Sequence, residues 1–111
     1  MEANSIEAAE LAKKIVRTGA RSCVRCHMEK PLQGSHVYSV GAHPDMAALT
    51  ENILPMCVGC HIYWWHKNPI EAFQWFAREF PDLFKRLEAR AQITEKVDWK
   101  SVYEELKALA P

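Results

Sequence analysis

The sequence predicts a mostly helical α+β domain built around a four-cysteine metal site. Three observations lead there. All four cysteines fall in two Cys-x-x-Cys pairs, Cys23/Cys26 and Cys57/Cys60. The run HVYSV, His36 to Val40, is the best strand candidate, because it is rich in β-branched and aromatic residues. Helical apolar spacing marks the N-terminal segment and most of the chain beyond His66. The 111 residues suit a single domain, 1–111, with a metal-bearing core at about 20–67 and a helical part at about 68–110.

Taken in order, residues 4–18 read as a helix. Asn4 supplies a cap, Glu7 follows at the capping-box position, and Gly19 is the stop. Leu11 and Ile15 share its apolar face. The first cysteine pair and a loop fill residues 20–34, with Pro31 and Gly34 as breakers. After the strand candidate, Gly41 to Asp45 (GAHPD) reads as a turn and a loop runs on to Asn52. The run ILP is short and extended, and the second cysteine pair opens a helix through about Trp65.

Asn68-Pro69-Ile70-Glu71 then gives a cap, a proline at the first helical position and an early glutamate. Ile70, Phe73, Phe76, Ala77 and Phe80 make one apolar stripe. Pro81 interrupts, and Leu83, Phe84, Leu87 and Ala91 make a second. Asp98 caps a last helix whose apolar face is Trp99, Val102, Tyr103, Leu106 and Leu109. Phe73, Trp75, Phe76 and Phe80 are expected in the core or at a partner interface, and Trp64 and Trp65 in the core.

A hydrophobic fraction of 49% predicts a folded chain. Formal net charge is zero, so overall charge indicates neither a nucleic acid nor a membrane surface. The distribution is uneven, however. Lys13, Lys14, Arg17, Arg21, Arg25 and Lys30 against Glu29 give +5 around the first cysteine pair. Such a segment is either a solvated face or a phosphate-contacting arm. The opening MEANSIEAAELAKK carries no signal-like basic and apolar stretch, and no apolar run would span a membrane. The expected compartment is the cytoplasm, where paired thiols favour metal over disulfides.

Both pairs continue into histidine, CVRCH at Cys23 to His27 and CVGCH at Cys57 to His61. Each therefore matches a c-type haem attachment signature as well as a zinc knuckle. Two knuckles complete a tetrahedral sulfur site, and soft thiolates suit Zn²⁺. A shared zinc is the favoured reading. A dihaem carrier is the rival, although haem attachment normally requires export.

CVRC, SHV and ENILPMCVGCH together resemble the HNH endonucleases, also known as ββα-metal or His-Me finger nucleases. The resemblance covers about Cys23 to His66 and is closest to small zinc-bearing, phage-encoded members of the NinG type. It places the H, N and H of that family on His36, Asn52 and His61, at spacings of 16 and 9 residues. The resemblance implies a ββα-metal finger with structural zinc on Cys23, Cys26, Cys57 and Cys60. It also implies a catalytic Mg²⁺, Mn²⁺ or other divalent ion on His61. His36 is then the general base that takes a proton from water. Asn52 bridges backbone groups and holds His36 in place.

Two positions depart from the family pattern. Ser35 stands where many members carry an aspartate or histidine ligand. Trp65 stands one helical turn after His61, where some members carry a second histidine. His66 is five residues on, roughly 140° around an ideal helix, so it is a metal ligand only if the helix ends or distorts there. His27 and His43 are expected to be loop histidines.

The expected activity is metal-dependent hydrolysis of DNA phosphodiester bonds, by double-strand cleavage or nicking. DNA would be met mainly at its phosphates, with Arg17, Arg21, Arg25 and Lys30 as candidate contacts. By resemblance, phage packaging or recombination proteins are the expected partners. The alternative class is a zinc-stapled DNA- or protein-binding module without catalysis, which Ser35 and the thin basic surface favour.

Overall fold

The computed structural model describes residues 4–110. Helix α1 spans Ser5–Gly19. The Asn4 side chain accepts the Glu7 N–H at 2.9 Å, as the capping pattern predicts. The helix includes Gly19, and the chain becomes extended at Ala20.

The first strand departs from expectation. β1 is Leu32–His36, not His36 to Val40, so His36 ends the strand and Val37 to Val40 turn away from it. Gly34 is mid-strand rather than a breaker, and it faces α1. A β-carbon there would stand 2.6 Å from Lys13 Cγ. Tertiary packing of α1 on the strand thus overrides local β propensity. β2, Ile53–Cys57, pairs antiparallel with β1 and sets Ser35 opposite Leu54 and His36 opposite Ile53.

Beyond β2 the chain runs through a short α2, Val58–Cys60, into a π-helical turn over His61–Trp65. Three further helices follow: α3 (Pro69–Glu79), α4 (Pro81–Ala91) and α5 (Trp99–Leu109). Asp98 caps α5 through Ser101 N–H. Asn68 does not cap α3 with its side chain; its Nδ2 donates instead to Trp64 O at 3.2 Å.

Two cores meet at the sheet. Cys23, Met56, Cys57, Cys60 and Trp65 pack with Phe76 and Leu87 of α3 and α4. Phe76 is fully buried among Trp65, Phe73, Phe80 and Phe84. Ala8 and Ala12 of α1 pack with Ile53 and with Leu106 of α5. Ile70 and Leu109, expected on apolar faces, are exposed. Both lie near a helix end. No helix among the described residues is long and apolar enough to cross a membrane.

Candidate metal centre and histidine cleft

The two cysteine pairs converge. Their four sulfurs lie within 4.8 Å of one another, and Cys26 Sγ is 3.8 Å from Cys57 Sγ. Four sulfurs about 2.3 Å from a tetrahedral zinc stand about 3.8 Å apart, so the pairs are placed to ligate one ion. Two haem groups would each need a separate cysteine pair around its own macrocycle, which pairs converging on one point do not offer.

Burial pushes the Cys23 thiol up, but the backbone N–H groups of Cys26, Cys57 and Arg25 outweigh it and bring it to about 6. At Cys60 burial prevails and pushes the thiol up to about 12, against the stabilising Arg25 guanidinium. Without a cation, four clustered thiols cannot all ionise. A divalent ion removes that conflict.

The repeated pentapeptides take different backbones. His27 has φ 63° and is the one positive-φ non-glycine residue among the described residues. It closes the first knuckle, with Cys23 N–H donating to Met28 O and His27 N–H to Cys23 O. His61 continues helically into the π turn. His27→Gly is therefore expected to stabilise the fold by up to about 1 kcal/mol, and His27→Val to destabilise it by about 1–2 kcal/mol. Urea melts of the metal-loaded protein check this.

The π turn also decides where His66 stands. His66 N–H donates to His61 O at 3.1 Å, a five-residue rather than four-residue step. The extra residue per turn cancels the angular offset of a regular helix. The two rings meet edge-to-face with centroids 4.5 Å apart. His36, His61 and His66 line one open cleft of about 500 Å³, together with Lys13 and Trp65.

Hydrogen bonds orient two of the three rings, His36 and His61. His36 Nε2 lies 2.8 Å from Ala47 O. A carbonyl only accepts, so Nε2 carries the hydrogen and Nδ1 of the neutral ring holds the lone pair. His61 Nδ1 lies 2.8 Å from Gln33 Oε1, which leaves Nε2 as the lone-pair nitrogen. Burial, then the charges of His66, Lys13 and His36, hold His61 down to about 4. It is therefore neutral at physiological pH, as a ligating imidazole must be.

Asn52 is fully buried behind the cleft. Its Oδ1 accepts from Tyr38 N–H at 2.8 Å, and its Nδ2 donates to Tyr38 O at 3.0 Å and Met46 O at 3.3 Å. Its own carbonyl accepts Val37 N–H. These bonds fix the chain just after His36. Asn52→Ala would orphan three buried or partly buried backbone groups and is expected to cost about 2–4 kcal/mol. Thermal denaturation would measure it.

The remaining expected residues are dispersed. Ser35 is fully buried, its Oγ makes no hydrogen bond, and it does not line the cleft. Arg25 sits 3.6 Å from Cys60 Sγ and stacks over Trp64, so its charge serves the thiol cluster. Arg21 is paired with Glu29 at 2.7 Å. Lys30 is exposed in the loop before β1. Arg17 shares a groove with Lys13, Gln33 and His61. His43 packs against Tyr38, away from the three-histidine cleft. Trp65 is buried and Trp64 half-buried. Sequence reasoning missed Gln33 and Lys13. Gly34, two residues before His36, was the signal for the close approach of α1.

The fold and site define a small α+β protein with a four-cysteine cluster able to bind a metal, beside a three-histidine cleft. No family model matches the chain, and no match was found among curated proteins or solved structures.

Proposed function

We propose that the protein is a metal-dependent DNA endonuclease or nickase. The observation that carries this reading is the meeting of His36, His61 and His66 in one cleft, with the lone pair of each oriented ring assigned. In this reading Cys23, Cys26, Cys57 and Cys60 hold a structural Zn²⁺, and His61 Nε2 with His66 holds a catalytic divalent ion. Bound there, such an ion supplies Lewis-acid stabilisation of the phosphate and of the departing oxygen. His36 Nδ1 accepts the proton of the attacking water, and the Ala47 carbonyl steadies the imidazolium through Nε2–H. Asn52 holds the segment that carries His36. Exposed Arg17, with Arg21 and Lys30, faces the DNA backbone.

The test is conversion of supercoiled plasmid with and without added Mg²⁺, Mn²⁺ or Ni²⁺. Cleavage should require the ion. The double substitution His61→Ala, His66→Ala should raise the ion concentration needed by about 10-fold or more. Absence of cleavage under every ion, with an intact zinc site, would sink the reading.

One observation favours a second reading. Ser35 is buried and does not line the cleft, so position 35 supplies no ligand to an ion held there. A zinc-stapled DNA- or protein-binding module would then bind its partner without ion-dependent cleavage.

A further inference from the structure

Helix α1 lies outside the cysteine–histidine segment, yet it borders the cleft. It packs on β1 so closely that a β-carbon at Gly34 would meet Lys13 Cγ at 2.6 Å and Cβ at 2.7 Å. The obstructing atoms are the root of the lysine side chain, not its flexible end. Gly34 is thus what allows Lys13 to lie across the strand. Lys13 lines the cleft with His36, His61 and His66, and the neighbouring groove with Gln33 and His61. Among the described residues lining the three-histidine cleft, it is the one lysine or arginine. Its ammonium is held by Glu10 at 2.7 Å, with the lysine side chain 29% and the glutamate 66% exposed.

We propose that Lys13 is a phosphate-binding residue of this cleft. Resting on the endonuclease reading, its ammonium contacts a non-bridging oxygen of the DNA phosphodiester presented to His36. Glu10 parks the ammonium in the free protein. A lysine–glutamate pair with its carboxylate in solvent is weak, so a phosphate can take the carboxylate's place. Helix α1 then belongs to the active site, and Gly34 is the contact that docks it there.

The test compares wild type with Lys13→Gln, Lys13→Arg and Glu10→Gln. One arm is binding to a labelled DNA duplex across a salt series without added divalent ion. The other is plasmid cleavage with Mn²⁺. Lys13→Gln should lower kcat/KM about 10-fold or more. It should also flatten the slope of log affinity against log salt by about 0.9. Lys13→Arg should retain the slope, and Glu10→Gln should tighten binding. A purely structural lysine would lower the melting temperature and leave the slope unchanged. Equal slopes for wild type and Lys13→Gln, or no duplex binding by either, overturn the proposal whether or not cleavage occurs. If the slope depends on Lys13 but wild type never cleaves, the phosphate contact stands and the endonuclease reading falls.

Discussion

Replacing His36 by alanine is expected, under the proposed endonuclease function, to slow ion-dependent plasmid cleavage by about 10²–10⁴-fold, the usual contribution of a positioned general base. The lost group is the Nδ1 lone pair, which the Nε2–H bond to Ala47 O aims away from that carbonyl. The structural cost is small by comparison. One hydrogen bond to the Ala47 carbonyl goes, worth about 1 kcal/mol. Asn52 still ties down Val37 and Tyr38. His36→Ala should therefore retain its zinc, bind a labelled duplex like wild type and melt within a few degrees of it. If His36→Ala and wild type convert supercoiled DNA at the same rate, His36 is not the base.

Removing the proposed structural zinc should have the largest effect on stability. Cys23, Cys57 and Cys60 are part of the main core, not a surface appendage. A structural zinc contributes about 10 kcal/mol or more at neutral pH. That is comparable to the entire net stability of a small domain, about 5–15 kcal/mol. Stripping it leaves clustered thiols whose preferences conflict, with Cys23 brought down and Cys60 pushed up. Cys60→Ser, or a strong chelator, is therefore expected to abolish the cooperative thermal transition. Metal analysis of the purified protein should give one zinc per chain. Protein free of metal, with a melt indifferent to chelator, would refute the zinc assignment. Arg25→Ala should lower the chelator concentration needed, since its guanidinium lies against Cys60 and Trp64.

Local signals determined much of this protein. The two Cys-x-x-Cys pairs announced a possible shared metal site because ligand spacing is a local property, and the sulfurs do converge. Asn4 and Asp98 announced their helices because a cap acts within one turn. Pro81 separated α3 from α4 for the same reason.

What the tertiary structure decided lay wherever a distant element chose between local options. HVYSV has the better strand composition, yet LQGSH is the strand, because it pairs with ILPMC and has the glycine that admits α1. CVRCH and CVGCH are nearly identical, yet one closes in a left-handed residue and the other runs into a π turn. In a regular helix His66 would point away from His61. The five-residue step instead sets the rings edge-to-face, and α1 brings Lys13 to the same cleft. Spacing along a chain fixes angles only for a regular helix. A single π turn and one close helix–strand contact were enough to place these side chains together, and both depend on packing that no local window contains.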